Sequence, residues 1–326
     1  MTTLITGATG FVGRHLAQEM TADGAQVRGL VRTGSGALPD GVARAEVTGL
    51  DDTAGLARAM AGIDTVVHLA ARVHVMRDQA GDPLAEFRRV NVEGTRALVE
   101  AAQRAGVRRF VYASSVKAMG EGSAEAYTEE TPPRPADPYG VSKLEAESLL
   151  RERAAATGLE VAILRLPMVY GPAMKGNMLR LFGLVDRGVP LPFGAVRNRR
   201  SMLFVENAVD AFIAVSRAPI SGAELFLCSD RDDLSTPELV REIGRALGRR
   251  VRLLNVPESW FRAGGRVGDI ASRFLPVPLT SAVVDRLLGS LYVDASRLAR
   301  MTGCQPRFSA AAGIARTAEW YRAVAP

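Results

Sequence analysis

Short apolar runs alternate along the chain with longer, more polar stretches. Thr3-Leu4-Ile5 reads as a buried strand and Arg14 to Asp23 as a helix. A second apolar run, Gln26 to Val31, ends at Arg32, and Asp51-Asp52 opens a helix reaching Met60. Ile63 to Ala71 is the next strand with its exit, Asn91 to Ala105 a long helix, and Phe110 to Ser115 a further strand. Asp137 then offers an N-cap and Pro138 the residue suited to the first helical position, so another helix begins there. Val161 to Leu166 is again a strand. Apolar runs alternating with helical segments predict an α/β fold with a parallel sheet.

Two of the joints carry candidate chemistry. The first strand runs into Thr6-Gly7-Ala8-Thr9-Gly10-Phe11-Val12-Gly13, a T-G-x-x-G-x-x-G pattern that leads into a helix. In that context Gly7 permits a tight turn, Gly10 lets a pyrophosphate approach the backbone, and Gly13 lets helix and strand pack closely. The helix N-terminus then offers free N–H groups to the phosphates. A ligand-free glycine turn is the bland alternative. At the end of the second strand an acidic residue would bind ribose hydroxyls, whereas an arginine accommodates an extra phosphate. Val31-Arg32 stand there, which leans towards NADP unless Arg32 is simply solvated.

The second joint is Tyr139-Gly140-Val141-Ser142-Lys143. Residues four apart share a helix face, so a phenol and an ammonium would stand side by side. A neighbouring cation favours phenolate and lowers the phenol pKa, which would suit proton transfer near neutrality. Such a pair also occurs by chance on helix surfaces. Ser114-Ser115 place two hydroxyls at a strand's C-terminal edge, where open α/β sheets bind ligands, although turn or cap duty would also explain Ser115. His68, inside an apolar strand, reads as a packed, hydrogen-bonded histidine, and His74 lies in the loop beyond.

Composition narrows the classes. The chain has 326 residues, 47% of them hydrophobic, enough for a large core in one large domain or two coupled ones. The net charge is +6 and the pI near 9.7, yet basic and acidic residues are mixed and aromatics few, which argues against nucleic acid. A phosphorylated small ligand, or solubility alone, accounts for the surplus. Cys228 and Cys304 are far apart, without metal-ligand spacing, so no metal is expected. No leader and no membrane-spanning run is recognisable, and a cytoplasmic location with no membrane partner is expected.

Taken in order, T-G-x-x-G-x-x-G, His68-Leu69-Ala70-Ala71, Asn91-Val92-Glu93-Gly94-Thr95, the Ser114-Ser115 strand end and Y-x-x-x-K form a set. In it the chain resembles the extended short-chain dehydrogenase/reductase family. The likeness is closest to the NAD(P)-dependent nucleotide-sugar epimerases, dehydratases and ketoreductases. The resemblance implies a Rossmann-type doubly wound parallel sheet with a smaller, interleaved C-terminal substrate domain. The boundaries would be 1–166 for the cofactor domain, with return segments near 203–229, and 167–202 with 230–326 for the substrate domain. It implies Ser115, Tyr139 and Lys143 as the catalytic triad. Gly7, Thr9, Gly10, Phe11, Val12, Arg32, Leu69, Ala70, Ala71, Asn91, Tyr139, Lys143 and Pro167 would lie at the cofactor.

Two departures bear on activity. Gly49 stands where the family often has an acidic residue contacting adenine. Val116-Lys117 replace the Asp-Glu pair with which sugar 4,6-dehydratases eliminate water, which argues against that activity. Lys117, Asn177, Arg200 and Arg286 would hold the substrate, the arginines on its phosphates. Leu225 to Cys228 reads as a strand, and Thr236 as the cap of a helix beginning at Pro237. The segment 257–279 is the least regular stretch. The implied function is a 4-ketoreductase of a UDP-hexose or UDP-N-acetyl-hexosamine derivative. A 4-epimerase with tightly bound NAD is the alternative, and an NADP-binding regulatory protein without turnover a further one. A homodimer is expected through the helices near Asn91 and Asp137.

Overall fold

The structure, a computed structural model, describes residues 1–73, 81–272 and 280–324. His74 and part of the 257–279 segment therefore lie outside the described residues. The strands in chain order are β1 (Thr2–Thr6), β2 (Gln26–Arg32), β3 (Ala43–Val47), β4 (Thr65–His68), β5 (Arg109–Ser115), β6 (Glu160–Leu166), β7 (Met168–Tyr170), β8 (Met202–Phe204) and β9 (Ala223–Leu227). Seven of them form one parallel sheet in the order β3-β2-β1-β4-β5-β6-β9. The chain winds outward in both directions from the seam between β1 and β4. Ligands bind beyond the strands' C-terminal ends at such a reversal.

The strands read as nearly continuous apolar runs because both faces are covered. Successive residues point to opposite sides: Ile5, Val67, Val111 and Leu164 enter one buried cluster, and their neighbours Leu4, Val66, Phe110 and Ile163 enter the other. Each fully buried side chain of this kind contributes about 1.5–3 kcal/mol. The helices of the first half are α1 (Phe11–Ala22), α2 (Thr53–Met60), α3 (Pro83–Arg88), α4 (Gly94–Arg104) and α5 (Pro138–Thr157). After β6 the chain leaves the sheet through β7 and α6 (Asn177–Asp186). It pairs β8 in parallel with β7, returns through α7 (Val205–Arg217) beside α1, and adds β9 at the sheet edge. The remainder is α8 (Thr236–Leu247), α9 (Glu258–Ala271), α10 (Ser281–Leu288), α11 (Ser296–Thr302) and α12 (Ala310–Val324). Tyr170, Phe182, Phe204, Val240, Ile243 and Ile314 build a third buried cluster there.

Two helix starts show how side chains set the boundary away from the sequence expectation. The helix expected from Asn91 begins earlier, at Pro83, capped by the Asp82 side chain, and passes through a π turn at 89–93 before α4. Helix α8 is capped by Ser235, not Thr236: Ser235 accepts from the Glu238 N–H while Glu238 reaches back to the Ser235 N–H. Among the described residues, no helix is long and apolar enough to cross a membrane.

Candidate active site

The glycine turn closes on itself because only glycine fits. Gly7 has φ +69°, and a Cβ on it would lie 2.9 Å from the Ala70 nitrogen. A Cβ on Gly13 would lie 2.1 Å from the Gly7 carbonyl oxygen, so α1 rests directly on the turn. Helix α1 has Gly10 as its N-cap and no side-chain cap, which leaves its first-turn N–H groups for an anion. Thr9 and Gly10 are exposed, with Phe11 and Val12 next to them at the helix start. Across the seam, the Leu69 N–H donates to the Thr6 carbonyl (3.3 Å) and the Ala70 N–H to the Thr6 hydroxyl (3.0 Å). Leu69, Ala70 and Ala71 are thereby strapped over the end of β1. This cradle of bare backbone fits the diphosphate of a dinucleotide. Arg32 is exposed at the end of β2, and Pro167 follows β6 at the same sheet edge.

Local structure brings Ser115 and Tyr139 together. Ser115 ends β5, and its hydroxyl accepts from the Lys117 N–H (3.2 Å), capping a single helical turn at 116–118. Helix α5 starts on that turn. A Cβ on Gly140 would lie 2.3 Å from the Lys117 carbonyl oxygen, so no larger residue permits this contact. Asp137 fixes the start by accepting from the Gly140 N–H (2.7 Å). The Ser115 hydroxyl lies beside the Tyr139 phenol, and the Tyr139 ring packs 6.0 Å from Phe87. One turn along, Lys143 is buried with Nζ 6.0 Å from the Tyr139 ring centroid.

The charge states correct the sequence expectation. Tyr139 is not lowered: burial pushes it up to about 12, the Ser115 hydroxyl opposes this, and the Asp137 carboxylate adds to it. Burial also depresses Lys143 to about 7, against the pull of Glu147. Desolvation of each group outweighs the attraction between them. Without ligand, the phenol is protonated at neutral pH.

The expected substrate residues fall in two places. Lys117 pairs with Glu121 and stands 3.7 Å from Asp137. Arg286 lies 3.9 Å from the same Glu121 carboxylate. Arg200 Nη2 donates to the Arg286 carbonyl and, at 3.3 Å, to that of Gly289, holding the end of α10. Lys117, Arg286 and Arg200 thus lie along one chain of contacts leading from Asp137, two residues before Tyr139. Asn177 is the exposed first residue of α6. Asn91 is buried, and its amide is engaged by protein: Oδ1 accepts from the Arg72 N–H (2.8 Å), while Nδ2 donates to the Arg72 carbonyl and the Ser142 hydroxyl (3.0 Å each). It ties the loop after β4 to α5.

Sequence reasoning passed over the polar groups behind the site, since each sits in an otherwise apolar run. Glu147 is fully buried and accepts from Ser114 (2.5 Å) and from Arg165 Nε and Nη2 (2.9 and 2.6 Å). Tyr112 lies beneath Lys143 and accepts from its ammonium (3.2 Å).

Residues 3–226 match the NAD dependent epimerase/dehydratase family. The UDP-glucose 4-epimerase of Vibrio cholerae is 36% identical over 324 residues, 97% of this chain and 94% of that protein. MoeE5, solved in complex with UDP-glucuronic acid and NAD, is 28% identical, with 99% of each chain covered and a TM-score of 0.79. The UDP-glucose 4-epimerase of Thermus thermophilus, solved with NAD, is 25% identical, with 99% of this chain and 100% of that one covered and a TM-score of 0.77. A family match that spans both the glycine turn and the Ser115–Tyr139–Lys143 cluster, carried by relatives that align along the whole chain, makes this protein a member of the NAD-dependent epimerase/dehydratase family.

Proposed function

We propose that the protein catalyses oxidation–reduction at carbon 4 of a nucleotide-sugar, with Tyr139 as the acid–base group and reduction of a 4-ketone as its net reaction. The observation that carries this reading is the convergence of Ser115 at the end of β5 and Tyr139 at the start of α5 over a buried Lys143, at the ligand edge of the sheet. Bound nicotinamide supplies the hydride. The neutral Tyr139 phenol gives its proton to the carbonyl oxygen as that oxygen gains charge. Ser115 donates to the same oxygen. Lys143 in its ammonium form then offsets the phenolate left behind, so Tyr139 and Lys143 titrate as a coupled pair. Val116 and Lys117 supply no carboxylate for eliminating water, and the reading therefore excludes 4,6-dehydration.

Epimerisation at carbon 4 is the second reading, favoured by likeness to the Vibrio cholerae protein. It uses the same three residues in both directions. Stoichiometry separates the two: a ketoreductase consumes one reduced cofactor per product, and an epimerase consumes none. Binding of UDP-sugars without any turnover in a panel of 4-keto and 4-hydroxy sugars would remove both readings and leave a regulatory protein.

We infer NAD, not NADP, as the nucleotide. Arg32 was the argument for NADP. The family description and the NAD held by MoeE5 and the Thermus protein weigh against it. Fluorescence titration is expected to give a lower Kd for NAD than for NADP; the reverse order would restore the NADP reading. For the sugar diphosphate, Arg200 Nη2 is engaged by α10, and the remaining guanidinium donors are available to an anion. Arg200→Ala is expected to raise KM for a UDP-sugar at least about tenfold, the range for a lost charge-assisted pair, with little change in NAD affinity. Equal KM values would take Arg200 out of the site.

A further inference from the structure

Lys143 has three N–H donors. One goes to the Ala113 carbonyl (2.7 Å) and one to the Tyr112 phenol oxygen (3.2 Å), with Nζ 4.5 Å from the Tyr112 ring centroid. Tyr112 is buried on β5, with Thr95 of α4 nearby. Counting protons fixes the directions behind it. The Ala70 N–H donates to the Thr6 hydroxyl (3.0 Å), which also lies 2.7 Å from His68 Nδ1. Thr95 gives its proton to the Asn91 carbonyl (2.6 Å) and must accept from His68 Nε2 (3.0 Å). Burial and the nearby Lys143 hold His68 down at about 3, so it is neutral with its proton on Nε2, and Nδ1 accepts from the Thr6 hydroxyl. Since Lys143 only donates, the Tyr112 oxygen is its acceptor.

We propose that Tyr112 is a positioning residue: with the Ala113 carbonyl, its phenol oxygen and ring hold the Lys143 ammonium against β5. The inference rests on the reading of Lys143 as the partner of Tyr139. Four titratable groups face the ammonium: Tyr112 from β5, His68 from β4, and Tyr139 and Glu147 from its own helix. Of these, Tyr112 alone gives it a short neutral acceptor. Removing that oxygen leaves the cation with fewer partners in the same buried place, so the ammonium is disfavoured.

The chain has three lysines, Lys117, Lys143 and Lys175, which permits a direct test. Full-length protein labelled with carbon-13 at lysine Cε gives three signals. Lys117→Arg and Lys175→Arg each remove one and so identify Lys143. Tyr112→Phe keeps the ring and the cation–ring contact but deletes the oxygen. Lys143 is then expected to titrate about one pH unit lower, a tenfold loss in proton affinity. Coincident titrations of wild type and Tyr112→Phe, both folded by near-ultraviolet circular dichroism, would overturn the proposal. Should Tyr112→Phe not fold, Tyr112→Met, which likewise lacks the oxygen, decides it in the same way. Full turnover in Tyr139→Phe would instead remove the catalytic reading and leave this titration result standing.

Discussion

Tyr139→Phe is expected to lower kcat at least about a hundredfold, the lower end for loss of a positioned acid–base group. The ring's packing against Phe87 survives the change, and only the hydroxyl beside Ser115 is deleted. Cofactor affinity should be unchanged, since the glycine turn and Lys143 are untouched. The loss should therefore appear in kcat and kcat/KM together, the pattern of an interaction made in the transition state. Steady-state rates with a UDP-sugar substrate and a separate NAD titration check both halves. A variant that turns over normally would show that another group carries the proton.

Glu147→Ala is expected to cost about 3–5 kcal/mol of stability, the range for breaking a buried ion pair from one side. Its carboxylate has no exposure and holds Arg165, which is 2% exposed, through two bonds, Ser114 through one, and Arg151 Nη2 at 3.2 Å. Truncation leaves a buried guanidinium and a hydroxyl without acceptors. Urea unfolding should show a lower midpoint at unchanged slope. A double change of Glu147 and Arg165 to apolar residues of similar volume should recover much of the loss, because neither charge is then stranded. A single-variant loss below about 1 kcal/mol would mean that water or another side chain satisfies Arg165.

The sheet and the glycine turn were legible in the sequence for physical reasons. Strands covered on both faces must be apolar throughout, and the approaches at Gly7 and Gly13 admit no Cβ. The Asp137-Pro138 start of α5 was equally plain, and Asp82-Pro83 carries the same signal at the true start of the helix before Asn91. What could not be read is whatever depends on burial of polar groups. The Tyr139–Lys143 spacing suggested a lowered phenol, but the magnitude of desolvation is set by tertiary packing and reverses the sign. Tyr112, Glu147 and Arg165 looked like ordinary members of a strand and a helix. Their roles exist only once β5, β6 and α5 are assembled. Arg200 and Arg286 could be nominated from sequence, while their contact through the end of α10 could not.

The central claim is hydride exchange at carbon 4 of a nucleotide-sugar, gated by Tyr139. A panel of UDP-hexoses deuterated at carbon 4, incubated with the NAD-loaded protein and followed by mass spectrometry, tests it most directly. The account predicts deuterium on the nicotinamide with at least one sugar, and none with Tyr139→Phe. Deuterium that stays on carbon 4 throughout, in protein that binds both NAD and the sugars, would contradict it.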